Sequence, residues 1–431
     1  MNQKKIGIVS FGCPKNLVDS EELMGMIGLS GGIVCDRAED ADILIINTCG
    51  FIEAAKEESI GYILDALQLK KDKPSFQVIV TGCLAQRSAE ELRSQVAGID
   101  RIIGLRNFAE VLAACRLPPL AEAPARLRLT PRHYAYLKIT EGCDNRCSYC
   151  SIPSIRGPMQ SFPPEQLLAE ARELASDGTV ELNLIGQDTA AYGLDTTNPP
   201  LLPELLAQLH EIEGLQWIRV LYTHPRHLTA EIIEAMATLA KVCPYIDLPI
   251  QHISNRILSA MSRKIGSAQI KKLISTIRAK IPGVFIRTSL IVGFPGETDD
   301  DFAELLDFVR ETRFERLGAF AYSREEGTPA YDLPDQVSED VKADRLDRLM
   351  SCQQEIAFEF NRDLIGRRMP VILSRPSEDS PDVWEGRTQG DAPEVDGMIY
   401  VAGPGLHAGQ IVTVRITGTE GYDLVGEFEG T

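Results

Sequence analysis

Cys143, Cys147 and Cys150 stand within Glu141-Gly142-Cys143-Asp144-Asn145-Arg146-Cys147-Ser148-Tyr149-Cys150. Gaps of three and two residues let one tight loop aim three thiolates at a single point, and thiolates are the usual ligands of iron–sulfur clusters. Three ligands on a four-iron cube leave one iron without a protein ligand. The amino and carboxylate groups of S-adenosylmethionine (SAM) can chelate an iron left open in this way. An electron from the cluster then breaks a carbon–sulfur bond of the sulfonium, and the 5′-deoxyadenosyl radical so formed abstracts hydrogen from an unactivated carbon. The competing use of such a loop is a structural zinc site. Zinc knots usually present four ligands, often as paired Cys-x-x-Cys. Here no fourth cysteine lies nearby and His133 is the closest histidine, so a cluster is expected.

A second set, Cys13, Cys49 and Cys83, is scattered in sequence but alike in setting. Each follows an apolar run that reads as a buried strand: Val9-Ser10-Phe11-Gly12-Cys13, Ile46-Asn47-Thr48-Cys49-Gly50 and Val80-Thr81-Gly82-Cys83. The C-terminal ends of parallel strands lie along one edge of a sheet, so the three thiols can converge there. The adjacent glycines permit close approach of the backbone. One such thiol would be an ordinary buried cysteine; three in matching positions predict a second cluster. Cys35, Cys115, Cys243 and Cys352 have no partner at ligand spacing and are read as structural.

The elements that must hold these loops divide the chain into four stretches. Residues 1–118 alternate short apolar runs (Ile6–Ser10, Ile43–Ile46, Val78–Val80) with helical patterns and end in a helix over Val111–Arg116. Such alternation predicts a parallel sheet covered on both faces. Residues 119–131 are rich in Pro, Ala and Arg and read as a linker. Residues 132–365 carry six strand candidates: Tyr134–Thr140, Val180–Gly186, Trp217–Tyr222, Tyr245–Pro249, Val284–Val292 and Arg316–Tyr322. Amphipathic patterns such as Glu165–Ser176 and Asp301–Glu311 separate them, and Ser338–Leu364 reads as a long exit helix. Six β/α repeats predict a partial, open barrel of the TIM type, with its site at the C-terminal strand ends. In residues 366–431 the helical period stops, and short alternating runs (Met369–Leu373, Met398–Val401, Ile411–Ile416) predict a small all-β barrel. The fold class is thus multidomain α/β with a terminal β-barrel.

The 431 residues carry a net charge of −18, 44% hydrophobic and 25% charged residues, which suits a globular protein. No run approaches the ~20 apolar residues of a membrane span, and the N-terminal apolar run is too short for a secretory signal. A cytoplasmic protein without membrane partners is expected, and ten cysteines there point to metal or redox chemistry, not disulfides. An acidic chain repels phosphate backbones, so nucleic acid is not the expected substrate. Residues 367–431 hold 11 acidic against 5 basic residues, whereas a nucleic-acid-binding barrel is normally basic. A basic partner fits better.

Both cysteine triads and the three-part order resemble the methylthiotransferase family of radical SAM enzymes over essentially the whole chain. The resemblance implies an N-terminal methylthiotransferase domain with an auxiliary 4Fe–4S cluster on Cys13, Cys49 and Cys83. It implies a radical SAM barrel with the SAM-binding 4Fe–4S cluster on Cys143, Cys147 and Cys150, and a C-terminal TRAM domain. It further implies two uses of SAM, one methylating sulfur at the auxiliary cluster and one generating the radical, and a need for an electron donor. One branch of the family modifies adenosine in tRNA. The other modifies the β-carbon of an aspartate in small-subunit ribosomal protein twelve. The segments Ile185–Thr189, Tyr245–His252, Tyr322–Thr328 and Ala392–Gly397 resemble the second branch, and complementary charge between an acidic barrel and a basic ribosomal protein or the ribosome agrees with it.

Gln187 and Asp188 end the second barrel strand and are expected to face SAM. Ile291 and Gly293 end the fifth, where radical SAM enzymes often contact adenine. The usual pattern has an acid three residues after that glycine; here Gly296 takes the place and Glu297 follows. Asp247, Gln251 and His252 follow the fourth strand and could bind SAM or orient the target carboxylate; a structural histidine is the alternative for His252. The tract Tyr222–Arg226 could contribute or simply shape its loop. Beyond the cluster ligands no catalytic residue is assigned. The alternatives are a tRNA methylthiotransferase with the same chemistry and a non-catalytic iron–sulfur or zinc protein.

Overall fold

The computed structural model describes residues 4–120 and 126–430, so residues 121–125 of the expected linker lie outside the described residues. The first layer is a five-stranded parallel sheet of β1 (Lys5–Ser10), β2 (Ile33–Cys35), β3 (Ile43–Thr48), β4 (Gln77–Gly82) and β5 (Arg101–Ile102), in the order β2-β1-β3-β4-β5. Every residue of β3 is buried, as expected of a continuous apolar run covered on both faces. The helices Pro14–Leu29 and Glu53–Asp72 contribute to separate apolar clusters against the sheet. The edge strands β2 and β5 have three and two residues. They are too short to show a period, so the sequence reading did not include them.

The centre holds six parallel barrel strands. They are β6 (Tyr134–Lys138), β9 (Glu181–Ile185), β10 (Trp217–Val220), β11 (Tyr245–Asp247), β12 (Phe285–Val292) and β13 (Arg316–Ala321). They form two three-stranded sheets, β10-β9-β6 and β11-β12-β13, joined by a bridge between Ile218 and Val242. Neither end strand pairs with the other, so the barrel is open, as its six repeats predict. Between β6 and β9, a short hairpin of β7 (Thr140–Glu141) and β8 (Gln160–Ser161) brackets the cysteine loop. The helix Glu339–Asp363 leads out of the barrel. The chain ends in a closed barrel of β14 (Arg368–Pro376), β15 (Val383–Thr388), β16 (Ile399–Ala402), β17 (Ile411–Glu420) and β18 (Asp423–Phe428). No described helix is long and apolar enough to cross a membrane.

The connection between β15 and β16 closes the floor of the large barrel. Asp391 pairs with Arg316 at 2.7 Å, Tyr134 donates to Glu394 at 2.9 Å, and Asp396 accepts from Tyr245 at 2.7 Å. Each barrel partner lies at the start of its strand. A Cβ on Gly390 would come within 2.3 Å of the Phe285 ring, so only glycine fits that approach. Three of the acids that make the last barrel acidic are therefore engaged with the floor. Glu378, Asp379 and Asp382, on the β14–β15 turn, and Glu420 and Glu427 remain exposed.

His133 borders the same floor. Burial, and then Arg387, hold its pKa down at about 4. The unfolded chain binds a proton near pH 6.5, so it takes up more protons than the fold between pH 6.5 and 4, and stability falls as pH falls through that window. His133→Gln is expected to remove up to about 2–3 kcal/mol of this acid sensitivity, read as a flatter stability curve in urea titrations from pH 7 to pH 4.

Candidate functional site

The barrel cysteines sit on a loop that the backbone holds tightly. Gly142 has φ +72°, and a Cβ there would meet the Pro158 carbonyl oxygen at 2.1 Å. Cys143 N donates to Gly157 O, and Ser148 N to Met261 O, which pins the loop to the hairpin on one side and to the barrel on the other. Asn145 Nδ2 lies 3.5 Å from Cys143 Sγ, and Arg263 Nη1 lies 3.4 Å from Cys147 Sγ. Burial pushes the Cys143 thiol up to about 11 and Cys150 to about 12. Donors aimed at buried sulfurs suit anionic sulfur, and an iron ion must displace protons that burial otherwise keeps in place. None of the ten cysteines forms a disulfide. These residues fit a cluster.

The other three cysteines stand at the ends of adjacent strands of the first sheet. Cys13 caps the helix after β1, Cys49 follows β3, and Cys83 begins the helix Cys83–Arg87 after β4. The three strands are immediate neighbours, spaced about 4.8 Å apart. The order reverses between β1 and β3, the switch point at which open α/β sheets bind ligands. A Cβ on Gly12 would lie 2.8 Å from Cys49 Sγ, so the missing side chain is what admits that sulfur. Cys83 Sγ is 3.5 Å from Arg156 Nη2, a residue of the large barrel. Burial raises Cys83 to about 11, with Arg156 opposing it.

The two cysteine loops touch. Ser151, next to Cys150, donates to the carbonyl of Phe51, two residues past Cys49, at 3.4 Å. Around them Arg156 pairs with Asp19 at 3.4 Å and Glu141 at 2.7 Å, and Lys138 binds Asp19. Burial alone would raise Glu141, but Lys138 and Arg156 hold it at about 2. Across the other rim, Glu325 accepts from Arg87 at 2.8 Å and from the Glu53 amide at 2.9 Å. The segment Tyr322–Thr328 thus fastens the first layer to the barrel.

The remaining expected residues separate into two kinds. Asp188 is buried beside the cysteine loop, accepting from Asn145 at 2.8 Å and facing His227 Nδ1 at 2.7 Å. With His224 these groups lie close enough to hold a metal ion; His224 Nδ1 accepts the Arg226 amide at 3.1 Å, and its buried Nε2 has no partner among the described residues. Gln187 donates to Glu141 at 3.0 Å, and its carbonyl oxygen has no partner among the described residues. Gln251 is held at φ +76°, uncommon for a residue with a side chain. Ile291 packs against the same apolar cluster as Tyr149 of the cysteine loop. The others face protein. Gly293 lies against Lys342, and its amide donates to Glu297 at 2.8 Å. Glu297 also pairs with Arg345 at 3.0 Å and lies 3.6 Å from His252 Nε2, inside the fold. Asp247 accepts from the Tyr222 amide at 2.9 Å and pairs with Arg287 at 3.3 Å.

Sequence reasoning did not single out Arg156, Arg263, Asn145 or Lys15. Asn145 lay inside the quoted loop and Lys15 two residues past a ligand, and both could have been weighed. Arg156 and Arg263 follow no spacing rule.

An open six-stranded barrel with a three-cysteine loop after its first strand defines a radical SAM enzyme. A family model of the radical SAM superfamily matches residues 137–309, one for the uncharacterized protein family UPF0004 matches residues 5–104, and one for the TRAM domain matches residues 365–428. The solved cobalamin-dependent SAM radical enzyme OxsB superposes with a TM-score of 0.52 at 12% identity, covering 82% of this chain and 56% of that one. The radical SAM methyltransferase TsrM from Kitasatospora setae gives 0.52 at 12%, covering 89% and 80%; both likenesses concern the fold alone. The ribosomal protein uS12 methylthiotransferase RimO of Geobacter sulfurreducens is 45% identical over 99% of this chain and 98% of its own. That of Clostridioides difficile is 45% identical over 98% of each. The chain belongs to the RimO family of radical SAM methylthiotransferases, and it is a transferase that uses SAM and a 4Fe–4S cluster.

Proposed function

We propose that this enzyme places a methylthio group on the β-carbon of an aspartate in ribosomal protein uS12, using two SAM molecules and two 4Fe–4S clusters. Cys143, Cys147 and Cys150 would hold the SAM cluster, and Cys13, Cys49 and Cys83 the auxiliary one. The observation that carries this reading is the direct meeting of the two cysteine loops, Ser151 against Phe51 at 3.4 Å. When bound, the cluster–SAM pair would supply a 5′-deoxyadenosyl radical, and the auxiliary cluster would carry the sulfur that SAM methylates. Asn145 and Arg263 donate toward the first set of sulfurs and Arg156 toward the second. Gln187, Asp188 and Ile291 line the SAM side. Gln251 stands at the strand ends, while Asp247, His252 and Gly293 would position their loops from behind. The chain is divided into 1–118, 132–365 and 366–431, works in the cytoplasm with a separate electron donor, and meets its basic target through the exposed acids of the last barrel.

The test is mass spectrometry after anaerobic reaction of the reconstituted enzyme with dithionite, SAM, and either uS12 or tRNA. Methylthio mass gain is expected on uS12 and located to an aspartate. Gain on tRNA alone would refute the substrate. No 5′-deoxyadenosine, with both clusters confirmed by iron analysis, would favour a non-catalytic iron–sulfur protein.

A further inference from the structure

We propose that Lys15 anchors the carboxylate of the target side chain and so sets the preference for an acidic residue; this rests on the aspartate reading above. Lys15 lies in the first turn of the helix that Cys13 caps. Its side chain leaves the N-terminal layer and crosses to the large barrel. Nζ donates to the Gly186 carbonyl at 3.1 Å, at the end of β9, and sits 3.7 Å from the centre of the Tyr222 ring, just past the end of β10. The residue is 7% exposed. Among the described residues no carboxylate lies within 4.0 Å of this ammonium. Lys138 and Arg156, at the same interface, each have two.

A buried ammonium without a counter-ion is costly. Here the carbonyl and the ring face engage two of its three donors, and among the described residues the third has no partner. The nearby acids are committed elsewhere, Asp247 to Arg287 and the Tyr222 amide, and Glu141 to Arg156 and Lys138. Tyr222 is itself held at φ +61°, a left-handed conformation that bulky residues rarely adopt and that clusters at binding sites. Its amide bond to Asp247 and its carbonyl bond from Thr189 N at 3.1 Å maintain that strain. The result is a cation set on an aromatic platform at the C-terminal strand ends, where barrel enzymes bind substrate. The auxiliary triad already has a cation in Arg156, 3.5 Å from Cys83 Sγ; the Cys13 thiol also acts on Lys15, but both contacts of its Nζ, Gly186 O and the Tyr222 ring, lie on the large barrel. An aspartate target would bring a carboxylate, the charge that complements this cation.

The test uses the holoenzyme with both clusters and two substrates, intact uS12 and a uS12 variant in which the modified aspartate is asparagine. Wild-type enzyme is expected to prefer the aspartate form. Lys15→Met should raise KM for it about ten- to hundredfold, the worth of a charge-assisted bond, and erase the preference; Lys15→Arg should keep it. Cluster iron and the auxiliary-cluster electron paramagnetic resonance (EPR) spectrum should stay as in wild type. If Lys15→Met loses iron, the aspartate-to-asparagine ratio is read in Lys15→Gln, which retains a donor for Gly186. An unchanged ratio in these variants, or an altered auxiliary-cluster spectrum with unchanged KM, would overturn the anchor and assign the lysine to the cluster. No gain on uS12 with wild-type enzyme would remove the substrate reading and the anchor together, whereas gain with an unchanged ratio removes only the anchor.

Discussion

Replacing Cys143, Cys147 and Cys150 together with alanine is expected to remove half of the cluster iron and to reduce 5′-deoxyadenosine formation to background. Replacing Cys13, Cys49 and Cys83 should remove the other half, leave 5′-deoxyadenosine formation in place and stop methylthio transfer. The asymmetry follows from where each triad sits. The barrel triad shares its loop with Asn145 and, through Asn145, with Asp188 at a strand end, where SAM is expected. The other triad lies at the switch point of a separate sheet and reaches the barrel through Arg156. Iron content, the EPR signals of the reduced clusters and product mass are read on the same preparations. Methylthio transfer persisting without Cys13, Cys49 and Cys83 would contradict the two-cluster assignment.

The largest effect on stability is expected at Glu181. Its side chain is fully buried, accepts from Arg219 Nε at 3.0 Å, and binds Arg387. Burial alone would raise its pKa, but the two guanidinium groups hold it below the usual carboxylate range. Arg219 is itself 0% exposed and also donates to Gln389 O at 2.7 Å, in the connection that closes the barrel floor. Glu181→Gln leaves two desolvated cations without their anion, a loss of about 3–5 kcal/mol for breaking a buried pair from one side. Replacing Glu181, Arg219 and Arg387 together with apolar residues of similar volume should cost less than the single change, because no charge remains buried. Guanidinium denaturation of the three proteins checks both statements. A cost below about 1 kcal/mol for Glu181→Gln, the range of exposed pairs, would show that the cluster is solvated.

The contacts of Glu181 also explain why part of the site was not legible. Its partners are 38 and 206 residues away in sequence, and no period or motif links Glu181 to Arg387. The acidic character of the last barrel was read as a surface for a basic partner. The structure turns Asp391 and Asp396 inward onto Arg316, Tyr245 and Arg287, leaving a smaller exposed set for that role. Asp247 and His252 stood at a strand end, where the fold rule expects functional groups, yet both face protein. The rule locates the strand end, while the side chain's direction depends on what packs beside it.

The two cysteine triads, the strand–helix alternation and the change to short strands after residue 365 were determined by the sequence alone, because each depends on local spacing or on the period of one element. Even the placement of Cys13, Cys49 and Cys83 at the ends of adjacent strands followed from that logic, since parallel strands share one edge. Tertiary structure alone decided which groups meet across the layers: Arg156 on Cys83, Ser151 on Phe51, Lys15 over Tyr222, and the β15–β16 connection under the barrel. These contacts join residues that are 73 to 260 positions apart. Which of many distant partners a polar group finds is set by how the packed layers fit, information that no single stretch of the chain carries.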